Sequence, residues 1–553
     1  MRDEFAAAIA KGLVSRTLTS CSRWAAKRRV MGAPFPGPYA WSRHPWVKEL
    51  HDTWTPESYV MKGAQLGVTE VAINRSFYTL DALKRDVMYV LPTASAASDF
   101  SKTRFSSALE LSAYIGSMFT DINSVQLKRA GANSLYIRGS KSRTGLKSVP
   151  VSELILDEVD EMDIDRVLVL AKERLSGQVH KHTWGISTPT IPEHGIHKLF
   201  IDSTQEHFFF RCPGCNKHIE FTWPDSIELV GEHGSDPRCA ESYLKCTACG
   251  RKLPHEEKPD FLAAGQWVAS KTNPNVRGFH INQLYSFTMS PGEIVVAYLK
   301  SRNDELATKE FFNSKLGVPW VASGARITEE MVLNAIRDYS IESLRPVVGG
   351  ARLITMGVDQ GATNYAVVCE WIPISPDLSD LSTAYLCRVL WAGSFPGDDW
   401  SLLYHLMGEW QVLYAVVDCQ PETNEARRFC RKFSGYAGMC RYERGKAPRE
   451  IATSDEDSGA PLHKVDRSSW LSTSLGRFKC NPTTIELPRD LPGVFSSHIQ
   501  CLVRTYERES DGSVSVVYKT TGDGMDHYAH ALNYAEIALH KVPRMSEELG
   551  RIR

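Results

Sequence analysis

A short apolar segment, a glycine-containing loop and a helix-forming segment follow one another between residues 58 and 83 of this 553-residue chain. The loop, residues 61–70, reads MKGAQLGVTE. A strand that ends in such a loop directly before a helix offers free backbone N–H groups to an anion, as in a phosphate-binding P-loop. The order of these segments therefore predicts an α/β fold with a phosphate site.

The loop departs from the usual pattern G-x-x-x-x-G-K-[ST]. Gly67 and Thr69 fit it, whereas Lys62 stands in place of the first glycine and Val68 in place of the lysine. A lysine at the front of the loop is long enough to reach the same phosphates, while the Thr69 hydroxyl remains for magnesium. The competing interpretation is a plain strand-to-helix turn. The residues predicted to contact nucleotide are Lys62, Gly63, Gln65, Gly67, Val68 and Thr69.

An apolar run that ends in two carboxylates lies at residues 154–158, with the sequence LILDE. A buried strand of this kind carries its acids to the edge of a sheet. Asp157 is predicted to hold magnesium, and Glu158 to polarise the water that attacks the nucleotide. Similar strings also end ordinary strands, so the prediction gains its weight from the upstream loop.

The displaced lysine resembles the deviant Walker A motif of large terminase subunits, the DNA-packaging motors of tailed bacteriophages, particularly the lambda-like, GpA-type branch. Residues 89–93 look like the next strand of the motor core, and residues 185–190 resemble the motif that senses the γ-phosphate. Arg143, in an arginine–glycine loop before the acidic strand, is by this resemblance a candidate arginine finger. A solvated arginine is the alternative. The resemblance covers roughly residues 55–190.

Two C-x-x-C pairs form the next strong motif. The cysteines are Cys212, Cys215, Cys246 and Cys249. Residues 216–245 lie between the pairs, which is zinc-ribbon spacing, and four thiolates satisfy tetrahedral zinc without an open position. A redox pair is the alternative, although such pairs are usually single and lie at a helix start. Lambda-like terminases resemble this chain in carrying such a ribbon, so we predict structural zinc.

The second half of the chain contains three acids with a similar setting. Asp359 and Asp418 each end a predicted buried strand, and Asp526 opens a predicted helix. Three acids from two strands and a helix suit a two-metal nuclease, in which magnesium or manganese activates water and stabilises the departing oxygen. The order resembles the ribonuclease-H-like domain of terminases. Each aspartate alone is also a common turn residue.

The sequence does not identify the third metal ligand. Many relatives have a doubled acid and a later acid, whereas this chain has Asp526 followed by His527 and, later, His530. Histidine can ligate manganese. Asp523, in a glycine-flanked turn, competes with Asp526 by proximity, so the sequence leaves four candidates for this position.

Length and cysteine usage bound the class of protein. A 553-residue chain with 42% hydrophobic residues predicts two or three domains. The remaining cysteines form no even framework, which favours a reducing cytosol, and no run approaches the roughly 20 apolar residues that cross a bilayer. With 64 basic and 65 acidic residues, any contact with DNA phosphates must be local.

These patterns predict an N-terminal P-loop ATPase of the ASCE type with a parallel sheet and a zinc-ribbon insertion, followed by a ribonuclease-H-like α/β nuclease domain. The predicted regions are an N-terminal arm (1–30), an ATPase core (31–205), a zinc ribbon (206–255), the rest of the ATPase with a linker (256–346), a nuclease (347–540) and a tail (541–553).

The resemblance implies a large terminase subunit that uses ATP to move concatemeric phage DNA into a procapsid and cuts it with a metal-dependent nuclease. It implies double-stranded DNA, a small terminase subunit, the portal protein and further copies in a ring as partners, in the host cytoplasm and without a membrane. The alternatives are a helicase-type or repair ATPase–nuclease and a packaging scaffold that no longer hydrolyses ATP. Tyr39 and Trp41 are the aromatic candidates for an adenine contact.

Overall fold

A computed structural model describes residues 20–542, apart from residues 120–121, 148, 345–351, 378–379, 446, 455–459, 509–512 and 523. The side chains of residues 122, 143 and 508 are also outside the description. The chain divides into two compact units, one up to Trp320 and one from Val321 onward. The finer domain bounds predicted from the sequence stay predictions.

The described part of the first unit contains sixteen strands. They are β1 (Val30–Met31), β2 (Gly37–Pro38), β3 (Glu57–Lys62), β4 (Val87–Leu91), β5 (Ile122–Asn123), β6 (Leu127–Ala130), β7 (Asn133–Gly139), β8 (Glu153–Asp157), β9 (His182–Ser187), β10 (Glu206–Arg211), β11 (His218–Ile219), β12 (Ile227–Glu228), β13 (Tyr243–Lys245), β14 (Lys252–Leu253), β15 (Gln266–Ala269) and β16 (Val276–Ile281).

The helices described in the first unit are mostly short. They are Cys21–Arg28, Val47–His51, Val68–Asp81, Ala94–Phe100, Ser106–Leu111, Ala113–Gly116, Arg143–Lys147, Ile164–Lys172, Gly195–Ile201, Lys258–Leu262, Pro291–Ser301 and Glu305–Glu310, with π-helical turns at Ser101–Phe105 and Phe311–Leu316. The N-terminal arm predicted for residues 1–30 falls mainly outside the described residues. Helix Cys21–Arg28 begins after Ser20, whose side chain accepts a hydrogen bond from the Arg23 N–H.

One large sheet organises the first unit. Its central strands are parallel and follow the order β10-β16-β3-β9-β8-β4-β7, while β5, β6, β11 and β15 add antiparallel edges. Strands β4, β8 and β9 are almost entirely buried, as expected for parallel strands covered on both faces. Strand β9 lies between β3 and β8 and is parallel to both. Because the carboxyl ends of parallel strands lie at the same edge of a sheet, the loop after β3 and the acids at the end of β8 reach the same edge.

Helix Val68–Asp81 packs at the centre of this unit. Its residues 71–80 are all buried, which is typical of a helix enclosed by its own domain rather than lying on the surface. A separate three-stranded antiparallel sheet, β12-β13-β14, lies within the cysteine-containing segment.

The second unit has a mixed eight-stranded sheet and a hairpin. The strands are β17 (Ile354–Asp359), β18 (Thr363–Pro373), β19 (Tyr385–Pro396), β20 (Tyr414–Asp418), β21 (Ala437–Tyr442), β22 (Ala452–Ser454), β23 (Leu462–Val465), β24 (Ile485–Glu486), β25 (Leu502–Arg508) and β26 (Val514–Thr520). The described helices are Glu329–Ala335, Leu381–Ala384, Ser401–Glu409, Thr423–Lys432, Arg467–Gly476, Phe495–Gln500 and His527–Leu539.

The second sheet has the order β22-β23-β21-β20-β17-β18-β19-β24. Strands β17, β18 and β19 form an antiparallel meander, and β20, β21 and β23 continue parallel to β17. Helix His527–Leu539 is almost wholly buried, and a Cβ on Gly357 of β17 would lie within 1.9 Å of the Ala531 carbonyl oxygen in it. The two units thus confirm the predicted α/β class with a parallel and a mixed sheet.

Among the helices that the structure describes, none combines the length and the apolar character that crossing a bilayer requires.

Candidate functional site

The loop after β3 has the backbone of a phosphate cradle. Strand β3 ends at Lys62, and helix Val68–Asp81 starts directly after Gly67, whose φ of +77° is left-handed. Gln65 also has a positive φ, +56°. Non-glycine residues rarely adopt this conformation, and it clusters at functional turns. The free N–H groups of the helix start therefore border the loop, where an anion is favoured.

The front of the loop is held in place by neighbouring backbone. A Cβ on Gly63 would lie 2.9 Å from the carbonyl oxygen of Lys315, so only glycine fits this close approach. The side-chain amide of Gln283 donates to the carbonyl oxygen of Ala64 at 2.8 Å. These contacts hold the front of the loop against the turn Gln283–Tyr285 and the π-helical turn Phe311–Leu316, a role for these segments that sequence reasoning missed.

The acidic strand places Asp157 in a buried position. Asp157 is 2% exposed, and the hydroxyl of Tyr89 donates to its Oδ2 at 2.5 Å. Its other oxygen, Oδ1, is buried and makes no hydrogen bond among the described residues. Glu158 follows in a left-handed conformation with φ +60°. A buried carboxylate oxygen without a donor suits a cation ligand.

Electrostatics link this acid to the loop. Burial, together with the neighbouring Glu158 carboxylate, raises the pKa of Asp157 to about 6, against the opposing effects of Tyr89 and Lys62. Lys62 is 6% exposed at the end of β3. The structure therefore brings Lys62 and Asp157, predicted as partners from segments far apart in sequence, close enough for their charges to interact.

A cleft of about 860 Å³ lies over the loop. Lys62, Thr69, Glu158 and Thr188 line it together with the loop backbone. Thr188 follows β9, within the segment predicted to sense the γ-phosphate. The cleft is large enough for a nucleotide.

Two further residues predicted for the site are Val68 and Arg143. Val68 is 1% exposed and belongs to the hydrophobic core, so only its backbone is suited to contact a phosphate. Arg143 begins the short helix Arg143–Lys147, but its side chain lies outside the described residues. Its predicted finger role stays a prediction.

Asp160 is a buried residue that the sequence prediction missed. Its Oδ2 accepts hydrogen bonds from the backbone N–H and the hydroxyl of Thr190, at 2.7 Å each, and its Oδ1 accepts from the N–H of Ile196 at 2.7 Å. Asp160 therefore ties the turn after the acidic strand to the segment after β9. An acid two residues after Glu158 was visible in the sequence, but its partners were not.

The aromatic residues proposed for an adenine contact do not line the cleft. Tyr39 is buried against His51, with ring centroids 5.4 Å apart, and Trp41 packs against the core. The aromatic rings of the cleft wall are instead Phe35 and His44. Tyr39 is 7% exposed, Trp41 is half-buried, and neither lines the cleft, so the suggested adenine contact stays a prediction that this cleft does not support.

The four predicted cysteines converge. The residues are Cys212, Cys215, Cys246 and Cys249, and their sulfur atoms all lie within 4.8 Å of one another. The Sγ atoms of Cys212 and Cys249 are 3.9 Å apart, as are those of Cys215 and Cys246. Four Zn–S bonds of about 2.3 Å in a tetrahedron separate the sulfurs by about 3.8 Å. The donor set and its spacing fit a tetrahedral metal ion.

Backbone N–H groups support the sulfur atoms. Gly214 donates to Cys212 Sγ at 3.3 Å, and Ala248 donates to Cys246 Sγ at 3.4 Å. Each knuckle turn thus directs an N–H at a sulfur, an arrangement that stabilises a thiolate. In the part of the chain that the structure describes, this is the one group of three or more potential ligands that converges so closely.

In the second unit, Asp359 and Asp418 end neighbouring parallel strands, since Val358 of β17 pairs with Val417 of β20. Burial, together with the charge of Asp359, raises the pKa of Asp418 to about 6. Two carboxylates that repel each other in this way are suited to share a cation. Gln360 is a missed neighbour, whose side-chain amide donates to the Asp418 carbonyl oxygen at 2.5 Å.

Asp526 precedes helix His527–Leu539 and is engaged by other groups. Its Oδ2 lies 3.4 Å from Arg467 Nη2 and 3.2 Å from His530 Nε2, and it accepts from the Thr520 hydroxyl at 3.1 Å. Asp526, Asp359 and Asp418 do not converge as tightly as the cysteines do. Arg467 was not predicted, because its segment carries no recognisable motif.

Among the candidate third ligands, His527 lies within hydrogen-bond distance of Asp359. Its Nδ1 lies 2.8 Å from Asp359 Oδ2, and its ring stacks on Tyr365 at 4.6 Å. The hydrogen bond to Asp359 raises the pKa of His527. Asp523 lies outside the described residues. The alternatives for the third ligand therefore remain Asp526, His527 and His530 among the residues that can be described.

Two models of known protein families match this chain, and their ranges contain most of the site residues described above. Residues 33–267 match the model described as phage terminase large subunit gpA, ATPase domain, and residues 276–371 match the model described as terminase large subunit gpA, endonuclease domain. Together the matched ranges include the P-loop, the acidic strand, the cysteines and Asp359.

Two curated relatives are similar over more than half of the chain. The terminase large subunit of Enterobacteria phage P21 is 23% identical over 350 residues, covering 57% of this chain and 53% of the relative. The terminase large subunit of Escherichia phage lambda is 24% identical over 357 residues, covering 57% and 54%. The chain thus spans about half the length of these relatives.

A solved structure supports the fold. The crystal structure of the HK97 bacteriophage large terminase is similar with a TM-score of 0.50 at 10% identity, covering 93% of this chain and 99% of that one. At this identity the likeness concerns the arrangement of helices and strands.

Proposed function

The chain belongs to the gpA-type family of phage terminase large subunits, and from this premise we propose that it is the motor and nuclease of viral DNA packaging. Its first unit hydrolyses ATP to move DNA, and its second unit cuts the DNA. The observation that carries the proposal is the cleft shared by Lys62, Thr69 and Glu158, beside Asp157 with its unpartnered oxygen.

Each residue of the cleft has a proposed role in ATP hydrolysis. Lys62 and the backbone of the glycine loop bind the phosphates. Thr69 and Asp157 are the magnesium ligands, and a bound magnesium ion would neutralise charge that develops on the transferred phosphoryl group. Glu158 orients and deprotonates the attacking water. Arg143 is proposed as the arginine finger by resemblance alone.

The strand order supports an ASCE-type sheet, in which the additional strand β9 lies between the P-loop strand β3 and the acidic strand β8. The cysteine segment is proposed to be a zinc ribbon inserted into this unit. Its four thiolates would close the coordination shell, so the ion would stabilise the fold and take no part in catalysis.

The second unit is proposed to be a ribonuclease-H-like nuclease. Its strand order β19-β18-β17-β20-β21, with a meander followed by parallel strands, supports this fold. Asp359, Asp418 and Asp526 are the proposed ligands of magnesium or manganese. Two such ions would activate water and stabilise the departing oxygen of the cleaved strand. His527 is the alternative third ligand, because it already contacts Asp359.

The proposed partners follow from the family. They are double-stranded DNA, a small terminase subunit and the portal of a procapsid, in the host cytoplasm. Because one subunit cannot encircle a duplex, several copies form a ring during packaging. The near-neutral charge, 64 basic against 65 acidic residues, suits weak contacts with the DNA backbone that permit sliding.

A packaging scaffold without ATP turnover is the second candidate. It is favoured by buried Val68 at the position where the usual motif has its lysine. The two proposals differ in one measurable respect, since only an active motor requires Lys62 for turnover.

DNA-stimulated ATP hydrolysis by the full-length protein tests the choice. Lys62→Ala should reduce turnover at least about a hundredfold, because it removes a cation that stabilises transition-state charge. Lys84→Ala, at a lysine that is 70% exposed on the same unit, should change turnover less than about twofold. Equal turnover in Lys62→Ala and wild type would remove Lys62 from the mechanism, and no turnover in wild type would favour the scaffold.

A further inference from the structure

Glu70, the residue after Thr69, joins two arginines from distant parts of the chain at the wall of the cleft. Arg29 Nη2 donates to Glu70 Oε2 at 2.9 Å, and Arg104 Nη2 donates to Glu70 Oε1 at 2.6 Å. All three side chains line the cleft together with Lys62. One carboxylate therefore holds two guanidinium groups next to the glycine loop.

The two arginines differ in their surroundings. The side chain of Arg29 is 4% exposed, and its Nη1 also donates to the carbonyl oxygen of Val30 at 2.9 Å. The side chain of Arg104 is 45% exposed. An ion pair this exposed contributes little to folding, so stability alone does not explain the position of Arg104. Arg29 is an anchor, whereas Arg104 is free to exchange partners.

The segment that carries Arg104 is connected to the acidic strand. Arg104 lies in the π-helical turn Ser101–Phe105, and such turns occur frequently at functional sites. Phe105 is buried against Tyr89, with ring centroids 5.4 Å apart. Tyr89 in turn donates its hydroxyl hydrogen bond to Asp157. The packing of Phe105 against Tyr89 thus positions the neighbouring Arg104, and Tyr89 is also the residue that supports the proposed magnesium ligand Asp157.

The charges of the cleft suit a polyanion. Lys62, Arg29 and Arg104 supply three positive charges to its lining, against two negative charges from Glu70 and Glu158. A triphosphate would find an excess of positive charge in a partly enclosed space, where electrostatic attraction is stronger than in bulk water.

We propose that Arg104 binds the terminal phosphate of a nucleoside triphosphate, and that Glu70 holds Arg104 at the cleft wall until the nucleotide enters. The guanidinium group matches phosphate oxygens with paired hydrogen bonds. Glu70 stays in place on buried Arg29 and acts as a positioning residue. A diphosphate lacks the terminal group, so Arg104 distinguishes the two nucleotides. This inference rests on the proposed ATP site.

Nucleotide affinity of the full-length protein tests the proposal without relying on turnover. Dissociation constants for ATPγS and ADP, with magnesium present, are measured by competition against a fluorescent nucleotide. Arg104→Ala should weaken ATPγS binding about tenfold and ADP binding less than about twofold, as expected for loss of the charge-assisted hydrogen bonds to the terminal phosphate. The ATPγS affinity of Arg104→Lys should lie between those of Arg104→Ala and wild type. Lys102→Ala, at an exposed lysine of the same turn, should leave both affinities unchanged.

Glu70→Gln provides the opposite perturbation, since it weakens the hold on Arg104 and should tighten ATPγS binding. An equal change for both nucleotides in Arg104→Ala, or no change, overturns the role of Arg104. If Lys62→Ala still abolishes binding in that case, the ATP site stands and only the inference fails. If wild type and Lys62→Ala bind ATPγS equally weakly, the proposed ATP site fails and the inference with it.

Discussion

The proposed nucleotide cleft of the first unit and the proposed carboxylate site of the second lie at the ends of parallel strands, but the first uses mainly backbone groups and the second uses side chains. In the first, one contiguous loop supplies Lys62, the left-handed Gly67 and the start of a helix. In the second, single side chains from β17, β20 and the start of helix His527–Leu539 approach one another across more than 160 residues. A cradle of backbone N–H groups is local, whereas a set of metal-binding side chains is assembled by the sheet.

The same comparison applies to how each unit holds its interior together. Both contain a buried arginine–glutamate pair beside a tryptophan. In the first unit, Arg75 lies 2.9 Å from Glu153, with side chains 2% and 1% exposed, and 4.0 Å from the Trp54 ring. The second unit contains an equivalent buried pair, Arg477 and Glu536. Among the described residues, a converged cysteine cluster occurs in the first unit only, so a structural metal ion is expected to stabilise that unit.

In the second unit, Arg477 contacts Glu536 through two hydrogen bonds of 2.6 and 2.7 Å, with both side chains 1% exposed, and lies 4.8 Å from the Trp371 ring. The pair joins helix Arg467–Gly476 with its following turn to helix His527–Leu539. It therefore fixes the helix whose start carries Asp526.

The largest expected effect separates the units by metal dependence. Cys246→Ser should remove bound zinc and lower the free energy of unfolding of the first unit by several kcal/mol, on the order of half the roughly 10 kcal/mol that structural zinc contributes in small domains. Metal analysis and hydrogen exchange resolved by peptide measure this. Cys480→Ser, at an exposed cysteine of the second unit, is the control and should retain the zinc. A Cys246→Ser protein with full zinc content and unchanged exchange would contradict the metal site.

The next prediction sharpens the comparison of the two ion pairs. Arg75→Met and Arg477→Met each leave a buried glutamate without its partner, which should lower the free energy of unfolding by about 3–5 kcal/mol. Peptide-resolved hydrogen exchange in urea should show the loss in the unit that holds the pair. Arg489→Met, in a pair with Asp338 that is 62% and 92% exposed, should cost less than about 1 kcal/mol. Equal losses in all three variants would refute the role of burial.

A third prediction concerns the independence of the two chemistries. Asp359→Asn removes a proposed metal ligand and should reduce manganese-dependent cleavage of plasmid DNA by more than the roughly 10–100-fold typical of outer-shell partners. ATP hydrolysis should stay within about twofold of wild type. Asp398→Asn, at an exposed aspartate of the same unit, should cut normally. Continued cleavage by Asp359→Asn would remove this residue from the nuclease site.

The smallest effect is a pH dependence that one buried lysine should add to the stability of the first unit. Lys258 is fully buried, and burial lowers its pKa to about 7, while its ammonium donates to the Ser286 carbonyl oxygen at 2.6 Å. Between about pH 7 and the ordinary lysine pKa near 10.4, the unfolded chain binds a proton that the folded chain does not. The stability contribution therefore rises with pH across this window, by at most about 1.4 kcal/mol per pH unit.

Urea unfolding at pH 7, 8 and 9 tests this sign. Lys258→Met should flatten the rise, and Lys300→Met, at an exposed lysine, should leave it unchanged. A stability that falls with pH in wild type relative to Lys258→Met would show that the buried amine stays charged.

Much of the first site was predictable because its residues are neighbours in sequence. The loop of residues 61–70, the acids at the end of β8 and the two C-x-x-C pairs each contain their own geometry in a few consecutive residues. The second site was predictable only as separate strand ends, and its third ligand was not, because Asp526, His527 and His530 occupy one helical turn and their partners come from elsewhere. Tyr39 and Trp41 failed as cleft residues because aromatic content does not say which way a ring points.

By itself the sequence determined the α/β class, the phosphate loop, the paired acids and the cysteine spacing, since each depends on local backbone conformation and on the chemistry of adjacent side chains. Only the tertiary structure decided that β9 separates β3 from β8, that Tyr89 and Asp160 hold the acidic turn, that Arg467 engages Asp526, and that Glu70 joins Arg29 to Arg104. Those contacts connect residues far apart along the chain, and their distances depend on how sheets and helices pack.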